Sequence, residues 1–543
     1  MDKTRFGSLL SKNADSFLIS LAGLFLIILY TRHGGIGISP DSIAYLSVAR
    51  NVIYHGLPVD YSHRPLVDFP VMYPFFLSFC GFLGGTDPLT VATWINGILF
   101  AAVIFTTGHL IDTFSSKRRV TSTDIISSKK RNSDTERNSD IERVSNTESI
   151  RSEARIYKRV VLIVIALSPS LLEIYSMLWS ETLFILLILL FFTVCAKYLE
   201  NRSVLTLILS GGLVSLACIT RYAGVSLIGT GLMILVFDIS LPWRKKILHC
   251  LWFGTAAVSL LIVNLIRNAM ITGSLTGPRE AGILSLSDNI VFYGRVVCQW
   301  MALSGEQPQF VSGIAILIFC VIGILFLRRS WYRSNYSVAE NCFAAFFIVY
   351  TVFIIGISTL SHFEQINNRL LSPLFIPLII AITSWVPTEL NKLKSRQYKF
   401  VSVVLLFILS GYGWQQYKQL ADMYNEEKDF GIAGYTDDLW RKSETAAFLQ
   451  NHPGYFNPEF DIYSNAHEAA YFNGGITAES MPHKRDTQDT ADFFSEDAFY
   501  LIWFDNFSDN ELIKFKTILQ KAVVVKQYDF KDGDIFFVRP RHF

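Results

Sequence analysis

Apolar residues occur in long uninterrupted runs along most of this chain, and short polar segments separate the runs. A run of about 20 apolar residues, or somewhat fewer, is long enough to cross a bilayer as a helix. The pattern therefore predicts about eleven transmembrane helices. The predicted spans are 15–31, 88–112, 160–177, 180–198, 204–220, 222–238, 247–269, 309–327, 338–360, 369–387 and 399–416.

A further apolar run, Phe69–Leu83, is shorter and contains Pro70 and Pro74. We expect it to form a membrane-surface or re-entrant helix, because counting it as a span would invert every later one. Without it, the basic clusters fall on the side of the N-terminus, as the positive-inside rule requires. The N-terminus is then cytoplasmic and the C-terminus extracytoplasmic, which in a bacterium is the periplasmic side of the inner membrane. The basic clusters lie in 113–159, 199–203, 239–246, 328–337 and 388–398.

The polar tail alternates short runs typical of strands with helical ones. Strands are expected at Phe460–Ser464 and Ala498–Trp503, and helices at Ala466–Phe472 and Asn510–Lys521. A hairpin is expected over 523–539, because Asp-Gly at its centre favours a tight turn.

The fold class that follows is an all-α polytopic membrane bundle with a small C-terminal extracytoplasmic α/β domain. The bundle occupies residues 1–417 and the α/β domain residues 418–543. Within the bundle, residues 115–159 are rich in Ser and Thr and contain a near-repeat, so we expect a disordered or loosely helical cytoplasmic insert.

Composition agrees with a membrane protein. Of the 543 residues, 51% are hydrophobic and only 17% are charged, against about 25% charged in a typical soluble domain. Residues 418–543 carry 13 Lys and Arg and 22 Asp and Glu, a net charge of −9, which leaves +11 for the rest of the chain. These values exclude a disordered chain and an ordinary soluble enzyme, and no basic patch suggests nucleic-acid binding.

Ionisable residues near a membrane are costly and are usually functional. In the predicted topology, Asp41 lies in the first turn of a helix that follows Ser39 and Pro40, and it shares a face with Tyr45. An ionised carboxylate there could act as a general base or could simply cap the helix. Glu181 opens another helix and has the same two interpretations. Arg64 and Tyr73 belong to the outer loop region that also contains Asp41.

Two arginines, Arg221 and Arg369, also lie at predicted outer ends, where a cation needs an anionic partner. They could clamp a phosphate together, or each could form an internal salt bridge. Tyr222 follows the first of them. His362 and Glu364 precede the second, but two such ligands do not make a metal site.

Several motifs in order along the chain resemble the GT-C superfamily of integral-membrane glycosyltransferases, particularly its protein-mannosyltransferase and aminoarabinose-transferase-like branch. They extend over roughly residues 15–415. The motifs are Pro40-Asp41-Ser42-Ile43-Ala44-Tyr45, Tyr73-Pro74, Trp179-Ser180-Glu181, Leu216–Gly224 and Asn368-Arg369-Leu370-Leu371-Ser372-Pro373.

The resemblance implies a sugar donor carried on a polyprenyl phosphate, inversion at the anomeric carbon, and a lipid, glycan or protein acceptor. It implies that Asp41 is the base or binds the acceptor, and that Arg221 and Arg369 hold the carrier phosphate. Tyr45 and Glu181 would line the cavity. We expect no cofactor, since this chemistry does not demand a divalent metal.

Two departures from the family pattern bear on the substrate. Only Pro74 follows Tyr73 where many relatives have two prolines, and Leu370 stands where an aromatic residue is common. A transporter or lipid flippase is the main alternative function, although it would favour charges at the bilayer midplane and an internal repeat. A structural or sensory membrane protein is a further alternative.

Overall fold

A computed structural model describes residues 13–130, 152–277, 281–303, 305–331, 339–361, 364–384, 386, 390 and 393–541. Helices dominate the first 430 residues. They are α1 (Ala14–Tyr30), α2 (Pro40–His55), α3 (Met72–Gly84), α4 (Pro88–Lys130), α5 (Ser152–Ala166), α6 (Pro169–Ser176), α7 (Glu181–Asn201), α8 (Val204–Thr220), α9 (Val225–Phe237), α10 (Trp243–Thr272), α11 (Leu286–Trp300), α12 (Pro308–Trp331), α13 (Ala339–Leu360), α14 (Asn368–Thr383) and α15 (Ser395–Phe430).

The predicted count of eleven spans is not confirmed. Five of the helices in the described residues, α4, α7, α10, α12 and the Asn341–Leu360 part of α13, are long and apolar enough to cross a membrane. The bent pair of α5 and α6 makes up to six. The remaining predicted spans coincide with shorter apolar helices (α1, α8, α9 and α14) or lie inside α15, whose apolar part is less hydrophobic.

The predicted span 160–177 is not one straight helix, because the chain bends by 50° between α5 and α6. Proline has no N–H to continue the helical ladder, so Pro169 begins a new helix. Ser168 caps that helix by accepting a hydrogen bond from the Leu171 amide. The break places the short helix α6 directly before the Trp179–Glu181 segment.

Close helix packing in the bundle depends on small residues. Gly23 of α1 faces Ile104 of α4, and a Cβ at Gly23 would lie only 2.4 Å from the Ile104 side chain. Gly231 of α9 lies against the ring of Phe253 in α10 in the same way. A larger residue at either position would require the facing side chain to shift.

The insert predicted at 115–159 is described in part. Helix α4 continues to Lys130, helix α5 begins at Ser152, and residues 131–151 lie outside the described residues.

The C-terminal part is a mixed five-stranded sheet with short helices, and its second strand, Glu479–Ser480, was not predicted from the sequence. The strand order is β2-β1-β3-β5-β4, with β1 parallel to β2 and β3, and β5 antiparallel to β3 and β4. Its elements are α16 (Asp438–Arg441), α17 (Glu444–Asn451), β1 (Asp461–Ser464), α18 (His467–Phe472), β2 (Glu479–Ser480), α19 (Thr487–Ser495), β3 (Phe499–Phe504), α20 (Phe515–Lys521), β4 (Ala522–Phe530) and β5 (Gly533–Pro540).

The predicted strands, the helix at 466–472 and the hairpin are confirmed within one or two residues. The helix expected at Asn510–Lys521 begins only at Phe515. Helix α15 runs across the boundary predicted after residue 417, so the division into two domains stays a prediction.

The loop between α1 and α2 connects the bundle to the tail. Gly37 pairs with Met177 in a parallel β-bridge, while Thr436 Oγ1 donates to the Ile36 carbonyl at 2.9 Å. The Tyr435 amide donates to Ile38 O at 2.8 Å. A Cβ at Gly37 would lie 2.1 Å from Met177 Sδ and 2.4 Å from Ile432 Cγ2, so a larger residue there would have to displace both side chains. The loop segment held by these hydrogen bonds leads directly into α2, the helix that carries Asp41.

Candidate functional site

Asp41 is fixed by the local chemistry at the start of α2. Ser39 and Ser42 form a capping box there, and Pro40 occupies the first helical position. Trp179 Nε1 donates to Ser39 Oγ at 2.8 Å, which ties the start of α2 to the segment after α6. Asp41 therefore has a defined place in the first turn, as predicted.

Glu181 begins α7 and is buried, with 1% of its side chain exposed. A carboxylate is favoured at this position by the partial positive charge of the helix N-terminus. Its Oε1 accepts from both Arg221 Nη1 and Arg369 Nε, each at 2.6 Å. One buried carboxylate thus holds two guanidinium groups from different parts of the chain.

Arg369 is the second residue of α14, which Asn367 caps. Its Nη2 donates to Asp41 Oδ2, and its guanidinium carbon lies 4.6 Å from the centre of the Trp179 ring. Glu364 Oε1 lies 3.8 Å from its third nitrogen. Arg369 therefore has a separate partner at each nitrogen and an aromatic face beneath it, an arrangement that a lysine cannot reproduce.

Together these residues form one chain of charges, Asp41–Arg369–Glu181–Arg221, which we call the outer charge network. Of the two alternatives for the arginines, the structure shows internal salt bridges. The network joins the helices α2, α7 and α14 and the residue that follows α8. Such a network is rigid, because moving one side chain would leave its buried partners without a counter-charge.

Tyr45 and Tyr73 lie under this network and not in an open cavity. Tyr45 Oη lies 3.4 Å from Ser180 Oγ. Arg221 Nη1 also donates to Ser180 Oγ, at 2.9 Å. The Tyr45 ring meets Tyr73 edge-to-face at a centroid distance of 5.2 Å. Both rings are buried, so they support the charged groups from the bundle side.

A pocket of about 360 Å³ opens above the network. The exposed fraction of the carboxylates decides which of them a ligand can reach: 27% of the Asp41 side chain is exposed, against 1% for Glu181. Within the network, Asp41 is thus the accessible carboxylate and Glu181 the buried one, while Glu364, which lies beside Arg369 in the pocket, is 44% exposed. The pocket is lined by Ser39, Pro40, Asp41, Glu173, Trp179, Glu364, Asn367, Asn368 and Arg369.

Two candidate residues lie elsewhere. Arg64 is 63% exposed and pairs with Glu479 of the tail. Tyr222 donates to the Val67 carbonyl at 3.3 Å, away from the pocket lining. His362 lies outside the described residues.

Sequence reasoning assigned no role of their own to three further residues, Asn368, Trp179 and Arg267, although the first two lie in the motifs quoted above. Asn368 donates to Glu173 Oε2 at 2.7 Å and so connects α14 to α6. Trp179 stacks on Arg369; its place two residues before Glu181 could have indicated it. Arg267 donates to the Leu66 carbonyl at 2.7 Å, and no carboxylate of the described residues lies within ion-pair distance of it. A lone Arg inside an apolar run was the available signal for Arg267.

The described residues contain no group of three or more His, Cys, Asp or Glu side chains arranged to hold a metal ion. The expectation that the protein needs no metal stays a prediction.

The architecture matches known membrane enzymes. No family model matches the sequence, and the comparison with curated proteins gives no match. The solved structure of ArnT, an aminoarabinose transferase, from Cupriavidus metallidurans in the apo state has a TM-score of 0.52 at 11% identity, over 96% of this chain and 97% of that chain. The Archaeoglobus fulgidus oligosaccharyltransferase in complex with Zn and sulfate gives 0.53 at 10% identity, over 90% of this chain and 68% of that one.

The chain has the GT-C fold. Both similar proteins are GT-C membrane glycosyltransferases, so the resemblance drawn from the ordered motifs is confirmed for the fold. The apolar helices and this fold make the chain an integral membrane protein.

Proposed function

We propose that this protein is a membrane glycosyltransferase that moves a sugar from a polyprenyl-phosphate carrier to an acceptor hydroxyl. The observation that carries the proposal is the outer charge network in a GT-C fold: Asp41 and Arg369 line the pocket, and the buried Glu181 joins Arg369 to Arg221. The bacterial inner membrane with a periplasmic tail is the location that agrees with the basic clusters.

The chemistry is a single displacement. The acceptor oxygen forms a bond to the anomeric carbon, the bond from that carbon to the phosphate oxygen breaks, and the hydroxyl proton passes to Asp41. Attack opposite the leaving group inverts the configuration of the anomeric carbon. The leaving group departs as a phosphate anion, so it needs cations and not an acid.

Three arginines can supply those cations. Arg369 and Arg221 are near the pocket but share Glu181, so their charge is already partly balanced. Arg267 has no carboxylate partner among the described residues, and its neighbour Asn268 donates to the hydroxyl of Tyr222, the residue after Arg221. We assign the carrier phosphate to the region between Arg267 and Arg221, with Arg369 positioning Asp41.

The test uses the purified full-length protein in lipid nanodiscs with a panel of polyprenyl-phosphate sugars and acceptors. We expect one donor to be consumed, free polyprenyl phosphate to appear in equal amount, and NMR of the product to show the inverted anomer. Consumption of no donor with any acceptor, together with movement of a labelled donor across proteoliposome membranes, would support the transporter alternative instead.

A further inference from the structure

A second and larger cavity, of about 1150 Å³, lies between the bundle and the tail. Most of its lining comes from the start of α6, the end of α15 and the tail segment 431–444, and the rest is Gln299, Asn506, Lys531 and Asp532. A volume of this size holds a drug-sized molecule or several sugar or amino-acid residues. Glu173 lines both this cavity and the pocket of Asp41, so the two spaces meet at one side chain.

The cavity is strongly acidic. Its lining contains eight carboxylates and only two ammonium groups. Each lysine is already held by a carboxylate: Lys442 Nζ lies 2.6 Å from Asp438, and Lys531 Nζ lies 2.8 Å from Glu444. The excess of negative charge therefore has no counter-charge within the lining.

Glu427 gives an independent observation. It lies on α15 eleven residues beyond the predicted span, its residue is 8% exposed, and its Oε2 has no hydrogen-bond partner among the described residues. Burial, together with the neighbouring carboxylates of Glu173 and Glu426, raises the pKa of its carboxyl to about 8. A buried acceptor without a partner is costly, and a donor from a ligand would remove that cost.

We propose that this acidic cavity binds the acceptor, and that the acceptor carries primary ammonium groups. The proposal rests on the proposed function, because only a transferase needs a second substrate beside Asp41. An ammonium group satisfies Glu427 and its acidic neighbours. Glu173 lines both spaces and accepts a hydrogen bond from Asn368, the residue before Arg369, so an acceptor seated here lies next to the pocket of Asp41.

The binding test uses full-length protein in nanodiscs and two cationic probes, trilysine amide and the glucosamine trisaccharide. The matched neutral probe is the N-acetylglucosamine trisaccharide, which has the same backbone without ammonium groups. We expect a cationic probe to bind with a dissociation constant below about 1 mM and the neutral probe at least tenfold more weakly. The probe that binds more tightly identifies a peptide or a saccharide as the source of the ammonium groups.

Glu427→Gln should weaken the cationic probe at least tenfold, with Glu459→Gln, an exposed acid of the tail outside the cavity, as the control. If Glu427→Gln does not fold, the double variant Glu426→Gln with Asp429→Asn removes two exposed carboxylates of the same lining. Absence of binding, equal binding of the neutral probe, or an equal effect of Glu459→Gln overturns the proposal.

Donor turnover without acidic-site binding would overturn this inference and leave the transferase standing. Glu427-dependent binding without any donor turnover would leave the site standing and overturn the transferase.

Discussion

The two ends of the helical bundle use the same residue types in different ways. At the predicted cytoplasmic end, acids and bases form separate pairs: Asp15 with Arg159 at 2.9 Å, and Asp112 with Lys158 at 2.7 Å. At the opposite end, Glu181 binds two arginines and one of these also binds Asp41. Isolated pairs hold two helices together, whereas the outer charge network lines a pocket. The difference separates structural charges from the proposed catalytic ones.

The largest effect on stability is expected from Glu181→Gln. This change leaves two guanidinium groups partly buried without their shared carboxylate, which costs about 3–5 kcal/mol. Thermal unfolding in nanodiscs should show a clear fall, and donor turnover should be lost. Asp15→Asn, at an exposed pair, is the control and should unfold at nearly the wild-type temperature. Equal unfolding temperatures for the two variants would remove the distinction between the ends.

Arg369→Lys should have the next largest effect, which we expect on donor turnover. Lysine keeps the charge but cannot contact Asp41, Glu181 and Glu364 with separate nitrogens or stack on Trp179. Misplacing Asp41 by about 1 Å should reduce turnover by about tenfold to a hundredfold. Arg159→Lys at the other end should have no such effect. A fully active Arg369→Lys enzyme would show that the geometry of the guanidinium is unimportant.

Asp112→Asn tests the pair at the predicted cytoplasmic end, where we expect an effect on stability alone. Lys158 has only 3% of its side chain exposed, so loss of its partner should lower the free energy of unfolding by about 1–3 kcal/mol. Donor turnover per folded molecule should be unchanged. A loss of turnover in correctly folded protein would mean that the two ends are coupled.

The smallest expected effect is a pH dependence from Glu427. Its pKa is raised from its ordinary 4.5 to about 8, so the native state holds a proton that the unfolded state releases between these values. Stability from this group is complete below about pH 4.5 and is lost as the pH rises through about 8. The unfolding temperature of the wild type should fall more steeply between pH 6 and 9 than that of Glu427→Gln. Parallel curves of unfolding temperature against pH for the two proteins would contradict the raised pKa of Glu427.

Parts of this architecture follow from the sequence, because their signals are local. Apolar runs located most helices, Asp532-Gly533 located the hairpin turn, and Ser39-Pro40 placed Asp41 in a first turn. The bend at Pro169 was not predicted, because the apolar run around it indicated a single span. The number of spans depends on how each short helix lies in the membrane, which periodicity does not report.

The site was predicted less completely than the fold. Glu181, Arg221, Arg369 and Asp41 were named, but their joining into a network depends on contacts over as many as 328 positions along the chain. Arg64 shares the outer loop with the site yet turns to Glu479, because the tail offers it a carboxylate. Such partners are chosen by tertiary packing, so residue type and predicted side of the membrane identify candidates without pairing them.

The most direct test of the central claim compares Asp41→Asn with Asp15→Asn. Both residues lie in the first turn of a helix and both pair with an arginine, but only Asp41 lines the pocket. Donor turnover would be measured in nanodiscs for each variant, normalised to the folded fraction. We predict a loss of about a hundredfold or more for Asp41→Asn and wild-type turnover for Asp15→Asn. Equal turnover of the two variants would contradict the assignment of Asp41 as the base.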